Sequence, residues 1–199
     1  MPVGVPKVPY LFDGDEEPSW ADLYNRLYRQ RSLFFGQTLD STLSNQIMGI
    51  MVYLNLEEST EDLYLFINSP GGWMVSGVAL YDLMQSVKPH VQTVCIGLAA
   101  SIAAFILLGG EVTKRLAFPH ARVMMHQPLS DLRINTIRAE NFIVEIGEIL
   151  TIYNSIVYTY VQRTSKPSWI IYKDLRRDIF MSAEEAQAHG IIDLIASEE

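Results

Sequence analysis

A run of about twenty residues without a charged side chain, residues 91–110, most constrains what this chain can fold into. A helix of that length could cross a bilayer, so a membrane span must be considered. Gly97, the glycine pair at 109–110 and several alanines are unusual in such a span, and the sequence on both sides alternates between strand and helix patterns. The run is better explained as a buried strand that ends at Gly97 and a helix of small residues that starts near Ala100 or Ser101.

The neighbouring sequence repeats a unit of helix followed by strand. Apolar residues at helical spacing occur in residues 43–54, and residues 62–68 have the composition of a buried strand. A second helix pattern extends to about residue 87, before the strand predicted from residue 91. Strands that alternate with helices pair in parallel, so this pattern predicts an α/β fold.

Further elements are predicted in the second half of the chain. A short strand is expected at residues 122–126, and residues 137–161 form an apolar-periodic run that would be roughly 37 Å long as a helix. Such a helix could project and contact a partner, and the alternative is a kinked or broken core helix. Residues 182–185 form a capping box before a short helix that ends at Gly190, and a strand is predicted at residues 191–195.

The chain is predicted to form one domain preceded by an arm. Residues 1–19 contain four prolines and an acidic run, which favours an extended or mobile segment, and residues 20–199 form the domain. With 199 residues, 49% of them hydrophobic, the chain can bury a sizeable core. The first residues lack the patterns of a signal or transit peptide, so we expect the protein to act where it is made.

Charge and cysteine content narrow the possible functions. The net charge is -8, and the basic residues form no block longer than a pair, which argues against nucleic acid as a partner. The lone Cys95 excludes an internal disulfide and fits a reducing compartment.

Ser101 is predicted to lie at the turn between the buried strand and the following helix. The first turn of a helix presents unpaired N–H groups and the positive end of the helix dipole, which suit an oxyanion beside a nucleophile. The simpler alternative is that Ser101 is only the helix N-cap. As a nucleophile it needs a base within hydrogen-bond reach and a third group that orients this base.

His126 is the best candidate base, because it ends an apolar strand and strand ends carry the reactive groups of α/β sheets. His90 and His189 are predicted to be surface residues, and His120 follows a proline. A metal pair of His120 and His126 lacks a third ligand at a suitable spacing, so no metal site is predicted. Asp178 precedes an apolar pair and could be drawn partly inward to orient a histidine, although a solvated acid is the commoner fate.

Two adjacent glycines, Gly71 and Gly72, lie between a strand pattern and a helix pattern. Backbone N–H groups at glycines can approach a ligand closely, as an oxyanion donor must. A plain tight turn is the alternative.

Four motifs occur together in the order found in one family of serine peptidases. They are residues 66–72 (FINSPGG), 97–104 (GLAASIAA), 122–128 (RVMMHQP), and 177–186 (RDIFMSAEEA) with 190–193 (GIID). On these motifs the chain, from about residue 24 to residue 196, resembles the proteolytic subunits of the Clp protease (ClpP family). The resemblance implies a ClpP/crotonase-like α/β fold of repeated β-β-α and βα units with a long projecting handle helix. Residues 1–9, 161–164 and 186–190 are similar to the plastid-encoded members.

The resemblance assigns roles to the candidate residues. It implies an active serine endopeptidase in which Ser101 is the nucleophile, His126 the general base and Asp178 the residue that orients the histidine. The backbone N–H groups of Gly72 and Ile102 would hold the oxyanion, and the substrate would be an unfolded protein chain cleaved through an acyl-enzyme.

The family also implies partners. Its subunits form a tetradecamer of two seven-membered rings, which the handle helix, residues 137–161 here, locks together. Plastid members form heteromeric rings with related subunits, some of them non-catalytic, and receive substrate from an Hsp100-type AAA+ ATPase in the stroma. The chain has no phosphate-binding loop motif, so ATP is expected to be used by that partner and no cofactor by this chain. Tyr64 and Phe66 match aromatic positions of the cleft where this chaperone docks, and buried core aromatics are the alternative.

The sequence departs from the family pattern in two places. Residues 129–135 have no glycine, where most bacterial relatives have a glycine- and glutamine-rich strand that pairs with substrate and with the opposite ring. Ile102 and Ala103 replace the usual methionine and a frequent glycine, which leaves the backbone donor in place. Two alternatives follow: a structural ring subunit that has lost catalysis, and a crotonase-type acyl-CoA enzyme, which uses paired amides without a Ser-His-Asp set.

Overall fold

The computed structural model describes residues 4–11, 19–127 and 139–196, with side chains from 143 onward in the last range. The elements in chain order are β1 (Lys7–Tyr10), β2 (Ser19–Asp22), α1 (Leu23–Arg29), β3 (Ser32–Phe35), α2 (Ser41–Glu57), β4 (Leu63–Ser69), α3 (Met74–Ser86), β5 (Val91–Ala100), α4 (Ile102–Leu108), β6 (Arg115–Ala117), β7 (Arg122–Met125), α5 (Ala139–Thr164), α6 (Ser168–Leu175), β8 (Ile179–Met181), α7 (Ala183–His189) and β9 (Leu194–Ile195).

The main sheet is parallel along its central path. Within the described ranges it has seven strands, with β3, β4, β5, β6 and β9 adjacent in that order. All of these neighbours pair in parallel, whereas β7 pairs in parallel with β5 and antiparallel with β8. The predicted α/β class is therefore confirmed.

The uncharged run forms the centre of the core. All seven residues of α4 are buried, as are most residues of β5. The predicted end of the strand at Gly97 is wrong, because β5 continues to Ala100. The continuation has a physical cause: Thr93–Cys95 pair with β6, and β7 then takes over as the partner of Leu98–Ala100. In the part of the chain that the structure describes, no helix is long and apolar enough to span a membrane.

Helix α5 is the predicted long element. Its described half nearer the N-terminus exposes more than half of the side chains of Ile143, Val144 and Leu150, whereas Ile156 and Tyr160 are buried in the core. The predicted projecting helix is confirmed. It ends at Thr164, three residues beyond the predicted residue 161, and the expected start at residue 137 lies outside the described residues.

Elements near the two termini differ from the sequence predictions. The capping box at Ser182 and the left-handed Gly190 at the end of α7 are as predicted. Only Leu194 and Ile195 of the predicted strand 191–195 pair with β6, while Ile191 and Ile192 are buried ahead of it. In the segment predicted as an arm, β1 pairs antiparallel with β2.

Candidate active site

Ser101 lies at the junction of β5 and α4 in an uncommon backbone conformation. Its φ of 58° and ψ of -125° lie in a region that non-glycine residues rarely adopt and that often marks a functional site. Its N–H donates to Met124 O over 2.9 Å, which fixes the junction against β7. The side chain makes no capping hydrogen bond to α4, so the N-cap alternative for its hydroxyl is wrong.

The hydroxyl instead faces His126. Nε2 of His126 lies 2.7 Å from Oγ of Ser101, which is hydrogen-bond distance. The parallel pairing of β5 with β7 explains the approach, because parallel strands end at the same edge of a sheet. The N–H of Gln127 donates to Leu175 O and anchors the residue after the histidine. The predicted pair of nucleophile and base is thus brought together.

Asp178 lies beside His126, at a longer distance than Ser101 does. β8 pairs antiparallel with β7 so that Ile179 is opposite Met125, which places the residue before Ile179 near His126. Oδ1 of Asp178 lies 3.4 Å from Nδ1 of His126, longer than an ordinary hydrogen bond. The expected inward position is wrong, since the Asp178 side chain is 74% exposed. Asp178 directly precedes β8, and no described residue covers its carboxylate.

The glycine loop approaches the nucleophile on its other side. Gly71 and Gly72 have φ of 103° and 153°, conformations that favour glycine. A Cβ on Gly71 would lie 2.7 Å from Cβ of Ser101, and a Cβ on Gly72 would collide with Leu39 O. The loop is held by hydrogen bonds from Leu39 N–H to Gly71 O and from Trp73 N–H to Leu39 O.

Two backbone donors next to Ser101 are available to a ligand. No hydrogen bond of the Gly72 N–H occurs within the described ranges, since its neighbours in the loop make the bonds to residue 39. Ile102 is the first residue of α4, where an N–H has no intrahelical acceptor. Both predicted oxyanion donors therefore flank the serine.

A cavity of about 580 Å³ opens beside the serine and histidine. Its wall is mostly apolar, which suits the side chain of a bound substrate. The lining residues are Pro70, Gly72, Trp73, Met74, Val75, Ser101, Ile102, Phe105, His126, Ile156, Tyr160 and Leu175.

The remaining histidines lie apart from this site. His90 and His120 are exposed, and Nδ1 of His90 is 3.2 Å from Nζ of Lys114. The surface position predicted for His189 is wrong, because its side chain is only 12% exposed. It packs at the end of α7 with Nε2 2.9 Å from Oδ2 of Asp174, so a carboxylate replaces water as its partner.

The two aromatic residues predicted to contact a chaperone lie on the outer face of β4. Tyr64 is 38% exposed, and Phe66 is half-buried with its ring stacked on Phe34 at 5.2 Å between centroids. The buried side chains of β4 are instead those of Leu65 and its alternate neighbours. The alternative that these aromatics are core residues is wrong.

Sequence patterns did not reveal Ser69 or the cavity wall. Ser69 is buried, its Oγ donates to Gln37 O over 2.7 Å, and it accepts from the Gly71 N–H over 3.0 Å. Its only signal is its place directly before the glycine loop. Tyr160 and Leu175 reach the cavity from α5 and α6, and no local pattern predicts such a distant contribution.

A serine at the edge of a parallel α/β sheet, with a histidine at its hydroxyl and two free amides beside it, defines the class of serine hydrolases. Comparison with known proteins narrows this class. A family model described as Clp protease matches residues 14–199. Proteins of Helianthus annuus, Lactuca sativa and Nicotiana tabacum, each named ATP-dependent Clp protease proteolytic subunit, are 59% identical over 198 residues and cover 100% of both chains.

The chain belongs to the Clp protease family, and it is a serine endopeptidase of that type. The predicted resemblance and the predicted enzyme class are confirmed, and the acyl-CoA alternative is not supported by any of these matches.

Proposed function

We propose that this chain is the proteolytic subunit of an ATP-dependent Clp protease and cleaves peptide bonds with Ser101 as nucleophile. The observation that carries the proposal is the 2.7 Å distance from Oγ of Ser101 to Nε2 of His126. A serine hydroxyl is a weak nucleophile at neutral pH and becomes effective when a histidine accepts its proton.

The proposed reaction proceeds through an acyl-enzyme. His126 takes the proton from Ser101 as Oγ attacks the substrate carbonyl, and the backbone N–H groups of Gly72 and Ile102 bind the oxyanion that forms. His126 then donates the proton to the leaving amine, which departs. A water molecule, deprotonated by the same histidine, attacks the ester carbonyl. His126 then returns this proton to Oγ of Ser101 as the ester C–O bond breaks, which releases the second product as an acid and restores the serine.

Asp178 is assigned the role of orienting His126 and stabilising its protonated form. Oδ1 of Asp178 lies 3.4 Å from Nδ1 of His126, the ring nitrogen that does not face Ser101, and the side chain is 74% exposed. The same observation favours a second candidate, a ring subunit with weakened catalysis.

The wider assembly is also proposed. The exposed apolar side chains of α5, Ile143, Val144 and Leu150, support a helix that packs against an opposing ring. The names of the relatives support a partner that uses ATP, and the chain has no phosphate-binding loop motif of its own. All three relatives cited come from plants, which supports heteromeric rings in the plastid stroma that receive unfolded proteins.

The proposal is tested on the assembled protein with a fluorophosphonate probe and a short peptide substrate. We expect labelling of Ser101, loss of the label in Ser101→Ala, and a fall in hydrolysis of about 10⁴-fold in Ser101→Ala and in His126→Ala, with the assembly mass unchanged. His120→Ala, at an exposed histidine, is the matched control and keeps its activity. An assembled wild-type protein that does not label contradicts the proposal and identifies a structural subunit.

A further inference from the structure

Tyr160 lines the cavity beside Ser101 and carries a hydroxyl group. The rest of the lining is mostly aliphatic or aromatic, apart from the two reacting side chains and the indole of Trp73. Trp73 is 65% exposed and can donate to water, whereas Tyr160 is 2% exposed. Among the described lining residues other than the reacting pair, Tyr160 is therefore the buried side chain with a polar group.

The Tyr160 hydroxyl has no hydrogen-bond partner in the ranges that the structure describes. Its ring packs against Phe105, 5.8 Å between centroids, and its backbone carbonyl accepts from Thr164 Oγ1. Other tyrosines do have partners: the hydroxyl of Tyr172 donates to Asn154 over 3.0 Å, and that of Tyr53 to Glu57 over 3.2 Å. Tyr160 is buried more deeply than either of these two residues, and no described residue pairs with its hydroxyl.

The Tyr160 hydroxyl is accessible to a ligand that enters the cavity. Tyrosine hydroxyls in a protein interior usually find a hydrogen-bond partner, and the Tyr160 oxygen is not among the fully enclosed unpaired polar atoms of the described residues. Burial also raises the pKa of Tyr160, so the group stays a neutral donor and acceptor at physiological pH. The cavity is the space from which a partner can come.

We propose that Tyr160 is a specificity-determining residue, whose hydroxyl hydrogen-bonds the end of the substrate side chain that enters the cavity next to Ser101. It selects side chains with an apolar stem and a neutral polar end over purely apolar side chains of the same shape. The inference rests on the proposed function, since it takes this cavity to hold the residue that donates the cleaved carbonyl.

Acidic side chains are excluded by the same wall. Among the described residues no lysine or arginine lines the cavity, so a carboxylate would lose its hydration without gaining a charged partner from them. A neutral hydroxyl on the substrate loses less hydration free energy than a carboxylate does. A hydrogen bond to the Tyr160 hydroxyl compensates for that loss. Tyrosine is therefore preferred over phenylalanine at this position of the substrate, although the two differ only by one hydroxyl.

The test compares two peptides that are identical except for tyrosine or phenylalanine before the cleaved bond. In the assembled wild-type protein we expect kcat/KM to be higher for the tyrosine peptide, and we expect this preference to fall by about five- to tenfold in Tyr160→Phe. Tyr158→Phe makes the same change on the same helix at a side chain that is 62% exposed, and it keeps the preference.

Fluorophosphonate labelling and assembly mass are measured on every preparation. A labelled wild-type protein that prefers the phenylalanine peptide overturns the inference without reference to any variant. So does a labelled Tyr160→Phe protein that keeps the tyrosine preference, and in both cases the proposed function stands. A wild-type assembly that does not label overturns the proposed function and this inference with it.

Discussion

Single residues outside the proposed catalytic set hold the glycine loop in place. Ser69 is 1% exposed, and its hydroxyl joins Gln37 O to the Gly71 N–H. This bridge fixes the residue before Gly72, whose own N–H is the proposed oxyanion donor. A donor contributes to catalysis only if it is already aimed at the position of the developing charge.

Ser69→Ala is therefore expected to lower kcat by about ten- to hundredfold, with KM little changed, because the loop loses both hydrogen bonds that define its position. The measurement is steady-state peptide hydrolysis by the assembled variant. Ser44→Ala is the matched control, since Ser44 is also 1% exposed and donates to a backbone carbonyl, Ser76 O, away from the loop.

Both substitutions are expected to destabilise the fold by about 1–3 kcal/mol, since each leaves a buried group unpaired. Only Ser69→Ala should change kcat. Equal kcat values for the two variants would assign Ser69 to stability alone. Ser69→Thr, which keeps the hydroxyl, is expected to recover activity.

The site residues that could be predicted are those whose chemistry is visible in the local sequence pattern. Ser101 interrupts an apolar run and His126 ends a strand, so both could be predicted. The exposure of Asp178 and the burial of His189 could not, because each depends on which distant element covers the side chain. His189 is buried against Asp174 of α6, 15 residues earlier in the sequence, and no local pattern signals this contact.

Among elements, the contact between α3 and α4 positions the N–H of Ile102, the second proposed oxyanion donor. A Cβ on Gly77 would collide with the side chain of Ile102, so only glycine allows α3 to pack this closely against the start of α4. The position of the Ile102 N–H relative to Ser101 depends on this approach.

Gly77→Ala is expected to lower kcat by about tenfold or more and to reduce the free energy of unfolding by about 1–3 kcal/mol, because overpacking moves α4. Thermal unfolding and peptide hydrolysis measure the two effects. Gly49→Ala lies in α2 with open space around the new methyl group, and it should stabilise by up to about 1 kcal/mol without loss of activity. Unchanged kcat in Gly77→Ala would show that the start of α4 tolerates the shift.

The order of elements could be predicted, but some of their ends could not. Periodicity marked α2, α3 and the strand at residue 91 because each carries its own apolar pattern. The sequence pattern placed the end of β5 at Gly97, three residues too early, because a glycine is a plausible strand end. The pairing of Leu98–Ala100 with β7 is non-local and could not be predicted from the pattern. A Cβ on Gly97 would lie 2.6 Å from Oδ1 of Asn68, so this glycine serves a close approach rather than a strand end.

For the whole molecule, a buried ion pair connects segments that are far apart in sequence. Arg115, at the start of β6, is 4% exposed and donates to both carboxylate oxygens of Asp193 and to Gly190 O. Burial alone would raise the pKa of Asp193, but hydrogen bonds and charge from Arg115 lower it on balance. The pair holds the C-terminal segment against the sheet.

The lowered pKa determines how stability varies with pH. The unfolded chain binds the proton first as pH falls, at about pH 4, so the stabilisation from Asp193 is complete above that value and is lost as pH falls through the lower folded pKa. Asp193→Asn should cost about 3 kcal/mol near pH 7, because it leaves Arg115 buried without its charged partner.

Denaturant unfolding between pH 7 and pH 3 measures this dependence. The difference between wild type and Asp193→Asn should narrow steadily below about pH 4. The exposed Asp82→Asn is the control and should differ little from wild type at any pH. A difference that stays constant with pH would contradict a role for the ionised carboxylate.

The outer face of β4 is the predicted docking surface for the proposed ATP-driven partner. Tyr64, on this face and 38% exposed, can contact another protein without disturbing the core, since the buried side chains of β4 point the other way. Tyr64→Ala is expected to lower ATP-driven degradation of an unfolded protein by about tenfold or more while short-peptide hydrolysis is unchanged, because an aromatic anchor at an interface contributes about 2 kcal/mol or more. Phe118→Ala, at an aromatic residue 44% exposed after β6, is the matched control and keeps both activities. A Tyr64→Ala protein that degrades the unfolded protein at the wild-type rate, with the ATPase present in limiting amount, would remove this face from the docking surface and leave the peptidase site intact.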